Sequence, residues 1–222
     1  MMNKISLEEA KEIKLMNRID KKYIINFDQF CSLCDYIVNN FYIVYSGYNF
    51  MLDYKSIYFD TEFNNMYRDH EWHEKKRQKI RIREYADGEQ FLEIKTKSQE
   101  DYTKKIRVPF KGKNLEGYKK WICDNLSYDY NTLSEKLEVR FKRITLINLE
   151  KNIRITIDFG IHYHNYENEN DFIEKNMIVE IKKESYDKTQ FELKLEELGI
   201  QEGKYSKYHI GIKNTKNALN QF

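Results

Sequence analysis

Proline is almost missing from this chain, with one residue in 222, and glycine is scarce at 8. That excludes collagen-like, Pro-rich and Gly/Ser linker proteins, which need both residues in quantity. Three cysteines are too few, and odd in number, for a disulfide framework. Cys31 and Cys34 form a CxxC within the apolar spacing of a helix and without a second pair, so buried structural thiols are expected rather than a zinc or redox centre. No run approaches the roughly 20 apolar residues of a membrane helix. The first twenty residues are charged where a signal peptide would be apolar. A cytoplasmic protein without membrane insertion is expected. Net charge is small too, since 38 Lys+Arg against 36 Asp+Glu leave +2. No basic field of the kind that collects nucleic acid exists, so any anion site must come from local segregation of charge.

What the chain does have is 18 Tyr, 13 Phe and many Ile, which favour strands. A short helix is predicted over Ser6 to Met16, with Ser6 and Glu9 spaced as a capping box. A strand follows around Ile19 to Ile25. A second helix runs from about Asp28, with Phe30, Leu33, Cys34, Ile37, Val38 and Phe41 at helical spacing. Further strands are predicted over Lys55–Asp60, Gln78–Tyr85, Gln90–Lys97, Thr103–Phe110, Leu137–Ile147, Ile153–Phe159 and Met177–Lys182. Ala86-Asp87-Gly88-Glu89 reads as a hairpin turn. Two amphipathic helices use Leu115, Tyr118, Ile122 and Leu126, and Phe191, Leu195 and Leu198. Tyr67 to Lys79, rich in both charge signs, reads as a loop or strand extension. Hairpin-linked strands with irregularly placed helices give an α+β fold class: an antiparallel sheet closed or nearly closed into an eight-stranded β-barrel tunnel with helices packed outside, since closure removes exposed edges. One domain over 1–222 is expected, with 1–17 as an N-terminal helix and 203–222 as a C-terminal basic segment.

The strands alternate in an informative way. Ile80-Arg81-Ile82-Arg83 has one aliphatic and one guanidinium face, and Leu92-Glu93-Ile94-Lys95-Thr96-Lys97 places Glu93, Lys95 and Lys97 together. Lys105-Ile106-Arg107-Val108 repeats the scheme. Arg154, Thr156 and Asp158 share a face, as do Glu180 and Lys182. Half-buried strands with a solvated polar face look similar one at a time. Here the polar faces are enriched in Lys and Arg, and the helices need an apolar surface to cover. Two like charges about 6 Å apart repel by roughly 3 kcal/mol at an effective dielectric of 20, so a cationic lining implies a polyanion. Between Glu138 and Arg143, Arg140 and Lys142 take one parity and Arg143 the other, and the pattern leaves open which is internal.

These residues resemble the VTC domain, the polyphosphate polymerase domain of the triphosphate tunnel metalloenzymes. The resemblance runs from about Arg18 to Gly211. It is anchored by Lys22-Tyr23, Tyr58-Phe59-Asp60-Thr61, Arg81-x-Arg83, the strand Phe91 to Lys97, Thr103-x-Lys105-x-Arg107, Arg143, Arg154-x-x-x-Asp158, Val179-Glu180-Ile181-Lys182 and Tyr205-Ser206-Lys207-Tyr208. It implies an antiparallel tunnel that binds nucleoside triphosphate and polyphosphate with Mn²⁺ or Mg²⁺. Lys22, Arg81, Arg83, Lys95, Lys97, Lys105, Arg107, Arg143, Arg154, Lys182, Ser206 and Lys207 resemble its phosphate contacts. Arg83, Lys95 and Arg143 are the catalytic candidates among them. Glu180 resembles its metal ligand, and Tyr58, Glu93, Phe141 and Asp158 are candidates for positioning. Where the wider superfamily opens with E-x-E-x-K, this chain has Arg18-x-Asp20-x-Lys22. Fewer carboxylates for a second metal favour the polymerase branch over hydrolysis.

The implied reaction is phosphoryl transfer from a nucleoside triphosphate to a polyphosphate end, which needs positioning and charge neutralisation rather than a protein nucleophile. The alternatives are a metal-dependent triphosphatase, acting on inorganic triphosphate or an RNA 5′ end, and a non-catalytic polyphosphate- or nucleotide-binding module. The five histidines lack acid or cysteine partners at metal-ligand spacing, so solvent-exposed or hydrogen-bonding roles are expected for them.

Overall fold

The computed structural model describes residues 3–13, 19–98, 103–150 and 152–217. In chain order the elements are β1 (Asn3–Ser6), α1 (Leu7–Glu12), β2 (Ile19–Ile25), α2 (Phe27–Asn40), β3 (Tyr42–Tyr45), β4 (Leu52–Asp60), α3 (Asn65–Glu71), β5 (Arg77–Glu84), β6 (Gln90–Lys97) and β7 (Thr103–Pro109). They continue with α4 (Lys119–Asn125), β8 (Ser134–Asn148), β9 (Ile153–Asn165), β10 (Asn170–Glu174), β11 (Met177–Lys183), α5 (Gln190–Glu197), β12 (Glu202–Gly203) and α6 (Lys207–Asn217), with two 3-10 turns flanking α4.

The strands join in the order β12-β2-β11-β9-β8-β4-β5-β6-β7, with β10 on β9 and β3, carrying β1, on β8. The fold is α+β, built on a large antiparallel sheet, as the hairpin pattern predicts. Closure into an eight-stranded barrel is corrected: among the described residues there are twelve strands, and their ladder has two ends, β12 and β7. β12 is two residues long, too short to carry a ladder onward, and most of β7 is exposed beyond its pairing with β6.

The chain divides into two compact units. Unit 1 is Met1–Asp53, Phe141–Ile161 and Glu174–Tyr205; unit 2 is Tyr54–Arg140, His162–Ile173 and Ser206–Phe222. The long strands β8 and β9 contribute residues to both.

In unit 1, antiparallel β2, β11 and β9 set Lys22 opposite Glu180 and Glu180 opposite Thr156. Alternation then gives one face Asp20, Lys22, Glu180, Lys182, Arg154, Thr156 and Asp158. The other face carries Tyr23, Ile25, Val179, Ile181, Ile153, Ile155 and Ile157, packed with Leu33 and Ile37 of α2 and Phe191 and Leu195 of α5. These helices form where the chain supplies both an apolar stripe and a cap. Asn26 with Gln29, and Thr189 with Glu192, complete capping boxes. Lys183 leaves the apolar face to bond Glu192 at 2.5 Å, tying β11 to the start of α5. The predicted Ser6 capping box is present, but its helix spans Leu7–Glu12 and follows a strand, β1, that pairs in parallel with β3. Ile13, also predicted helical, is extended, and the remainder of that prediction, 14–16, lies outside the described residues, as does Arg18. Cys31 is exposed and Cys34 half-buried, its thiol donating to the Phe30 carbonyl, so the pair is not the buried one expected. Their helix presents Leu33 and Ile37 to the core instead.

In unit 2, β4 to β7 pair antiparallel with Tyr58 opposite Arg81, Arg81 opposite Glu93 and Glu93 opposite Arg107. The apolar face holds Ile80, Leu92 and Ile94, all buried. α4 lies on this face, held by Gln78, which donates to the Asn125 carbonyl (2.9 Å) and accepts from the Ser127 N–H (2.7 Å). The Gly88 turn closes β5 onto β6 with φ +81°, a conformation glycine adopts without strain. The loop predicted within Tyr67 to Lys79 begins instead in a helix, α3. Its cap comes from the end of β4: Asp60 accepts from the backbone N–H groups of Met66 and Tyr67 at 2.9 Å each. The C-terminal basic segment is largely α6, whose Gly211 packs closely against Leu137 and Tyr163.

Candidate functional site

The sequence-derived residues fall into two groups, one in each unit. In unit 2, parity and register put Arg77, Lys79, Arg81 and Arg83 on the same face as Lys95, Lys97, Lys105 and Arg107, with Glu93 as the carboxylate of these three strands. Glu93 is 2% accessible and accepts from Arg81 Nε (2.9 Å) and Nη2 (2.7 Å), Lys105 Nζ (2.5 Å) and the Tyr85 hydroxyl (3.2 Å). Burial alone would raise its pKa; Arg81, Arg83 and Lys105 reverse that and hold it at about 2. Lys105 responds oppositely. Burial lowers its pKa, Glu93 offsets part of this, and Arg81 and Arg83 repel its charge, leaving it at about 8. Tyr58 is buried with its hydroxyl 2.8 Å from Arg81 Nη1, so it braces Arg81. Burial disfavours the Tyr58 phenolate, but Arg81, Arg83 and Lys207 outweigh that and lower its pKa.

Ser206 caps α6, and its hydroxyl accepts from Lys79 Nζ at 2.8 Å. Lys207 follows as the first residue of that helix. Tyr208 fixes the helix, stacking on Tyr58 (centroids 5.1 Å apart) and donating to Asp60 at 2.6 Å. Lys79 and Arg77 were not among the candidates read from the sequence, although their parity with Arg81 and Arg83 was the available signal. Arg140 and Lys142 take the other parity of β8 and meet acids there: Arg140 bonds Glu138 and Lys142 bonds Asp53.

In unit 1, Arg143 grips Asp158 with two parallel bonds, Nε to Oδ1 at 2.5 Å and Nη2 to Oδ2 at 2.8 Å. Buried Phe141 lies beneath the guanidinium, 5.3 Å from ring centroid to Cζ, so it positions Arg143. Glu180 bonds Lys182 and lies 3.9 Å from Lys22. Burial would raise the Glu180 pKa; Lys182, Lys22 and Arg143 hold it well below the usual carboxylate range. Lys22 also donates to the Tyr205 carbonyl at 2.7 Å. Arg154, expected as a phosphate contact, sends Nη2 to the carbonyls of Ala10 (2.7 Å) and Ile13 (2.9 Å), where it caps the end of α1.

Three of the five histidines meet carboxylates. His162 and His164 meet Asp171, and His209 meets Glu71. Among the described residues no group of three or more His, Cys, Asp or Glu is placed to hold a metal ion. A metal ligated by the described residues alone therefore does not fit. A hard cation that keeps most of its shell from phosphate oxygens and water, and takes one carboxylate, does fit Glu180. A cavity of about 330 Å³ bounded by Gln78, Thr96, Ile106 and Asn125 lies on the opposite, α4-covered face and has no part in the cationic cluster.

The VTC domain model matches residues 17–216, nearly the whole chain. The chain belongs to the VTC domain family. No curated protein matches it. Among solved structures, this VTC domain resembles a candidate adenylate cyclase from Bacillus halodurans, with a TM-score of 0.57 and 14% identity, over 86% of this chain and 96% of that one. A candidate adenylyl cyclase from Hippeastrum, described as having a dominant triphosphatase activity, matches with a TM-score of 0.58 and 14% identity, over 90% of this chain and 97% of that one. At 14% identity these likenesses establish a shared fold and nothing further. No helix among the described residues of this VTC domain is long and apolar enough to cross a membrane.

Proposed function

We propose that this VTC domain is a cytoplasmic phosphotransferase of the polyphosphate-polymerase type, moving the γ-phosphoryl group of a nucleoside triphosphate onto the end of a polyphosphate chain. The observation that carries the reading is the β5–β6–β7 face of unit 2, where Arg and Lys from three strands surround one buried carboxylate. Such a face is held together most favourably by a polyanion.

Phosphoryl transfer asks the protein to align donor and acceptor and to neutralise charge on the moving group. Arg81 and Arg83 present forked donors to non-bridging phosphate oxygens, and Lys95, Lys105 and Lys79 supply compact charge beside them. Glu93 holds Arg81 and Lys105 in place through its hydrogen bonds. In unit 1, Arg143, clamped by Asp158, and Lys22 and Lys182 serve the same chemistry, while Glu180 is the carboxylate that would hold Mn²⁺ or Mg²⁺. An ion held there would supply positive charge to offset that of the phosphate oxygens. The bond from the γ-phosphorus to the β–γ bridging oxygen breaks, a bond to the polyphosphate terminal oxygen forms, and nucleoside diphosphate leaves.

The test is product analysis. Purified protein with ATP and Mn²⁺ should yield phosphate chains that migrate as a ladder on a gel. A second reading, transfer to water, is favoured by the fold shared with the Hippeastrum protein, whose dominant activity is that of a triphosphatase. Orthophosphate and ADP without a ladder would decide for it. Triphosphate binding without turnover under any divalent cation would leave a binding module.

A further inference from the structure

Three aromatic side chains stand at the hairpin end of the unit 2 cationic face. Tyr54, Tyr85 and Phe91 have the parity of Ser56, Arg83 and Glu93, so they continue that face toward the Gly88 turn. Tyr54 is buried and meets Tyr85 edge-on, an ordinary packing contact. Phe91 is different. It is half-buried, held upright by the edge-on Tyr85 ring (5.7 Å, 88°), and covered by the exposed Arg107, whose guanidinium carbon lies 4.4 Å from the ring centroid. Arg107 thus leans over an aromatic ring, while the acid opposite it in register is Glu93.

We propose that Phe91 and Arg107 form a seat for the base of a nucleoside triphosphate, with the triphosphate running along the strands past Arg83 and Arg81 toward Lys95. This rests on the phosphoryl-transfer reading and adds to it the place where the base of the donor is held. Aromatic rings and guanidinium planes both accept stacked bases, and every base offers a π face. The spacing fits as well. Phe91 and Lys95 are four residues apart, about 14 Å along an antiparallel strand, which suits an extended nucleotide from base to terminal phosphate.

Calorimetric titration with the non-hydrolysable imido analogue of ATP, and with imidotriphosphate lacking the nucleoside, tests the seat. The wild-type protein should bind the nucleotide about tenfold more tightly. Phe91→Leu should reduce that ratio to within about twofold by weakening the nucleotide, whereas Phe91→Tyr should retain it. If Phe91→Leu does not fold, Arg107→Lys, which keeps the charge and loses the plane, should reduce the same ratio. Equal wild-type affinities for the two compounds, or a Phe91→Leu ratio unchanged from wild type, would overturn the base seat and leave the phosphoryl-transfer reading standing. Binding of neither compound would overturn both.

Discussion

The polar faces of the two units solve different electrostatic problems. In unit 1 acids and bases come close to balance. Arg143 is matched by Asp158, Lys182 by Glu180, and Lys22 shares Glu180. In unit 2 the cations of β5, β6 and β7 greatly outnumber Glu93. A balanced face can keep a carboxylate ionised and available to a metal without help from a ligand. Burial lowers the lysine pKa on both faces, at Lys105 and at Lys182, with nearby Arg adding to it, but the cation-rich face gains most when an anion arrives. In the function proposed above, Glu180 is the metal carboxylate and the unit 2 cations are phosphate contacts.

The sharpest way to break this contrast is Glu180→Gln. Turnover of ATP under Mn²⁺ should fall about 100-fold or more while the Kd for triphosphate changes less than threefold, because a metal ligand is removed and no phosphate contact is lost. Steady-state kinetics with calorimetry separates the two; a large loss of affinity would mean that the metal duty is misassigned. Next, Arg83→Ala should weaken triphosphate binding by about 10- to 100-fold through lost charge-assisted hydrogen bonds. A change in kcat alone would place Arg83 outside the affinity role.

Arg81→Ala should act on stability as well. It strands a carboxylate of 2% accessibility, and urea unfolding should register a loss of about 3 kcal/mol. Arg81→Ala,Glu93→Gln together should recover part of it. The smallest expected effect is a proton. With Lys105 at about 8 in the unliganded fold against an ordinary 10.5, the folded state holds fewer protons than the unfolded chain between those values. Stability should therefore gain a small contribution as pH rises through that window. Triphosphate favours charged Lys105, so binding near pH 8.5 should take up a fraction of one proton, and affinity should decline as pH rises further. Calorimetry in buffers of different ionisation enthalpy measures this, and Lys105→Arg should abolish it.

Much of this was legible in the residues, for a physical reason. Strand parity is strictly two, so Arg81-x-Arg83 and Glu93-x-Lys95-x-Lys97 had to share faces once their strands paired, and the apolar complement had to find helices. What parity does not carry is who pairs with whom. Arg154 obeys its alternation yet is drawn to the carbonyls of α1, an element about 140 residues earlier. α3 escaped notice because its cap is the distant-looking Asp60, on the preceding strand rather than at the helix start. Arg140 and Lys142 could not be separated from Arg143 until their acids, Glu138 and Asp53, had positions. Barrel closure failed as an expectation because it depends on the lengths of the terminal strands, which hydrophobic alternation does not encode. Resemblance, rather than pattern, singled out Glu180.

Asp60 accepts from two amides of α3 and from Tyr208, a residue 148 positions later. Contacts of such separation are late arrivals during folding, because a long loop must close before they form. α6 should accordingly dock last and exchange its amide hydrogens first, and the cationic strands should assemble before Ser206 and Lys207 reach them.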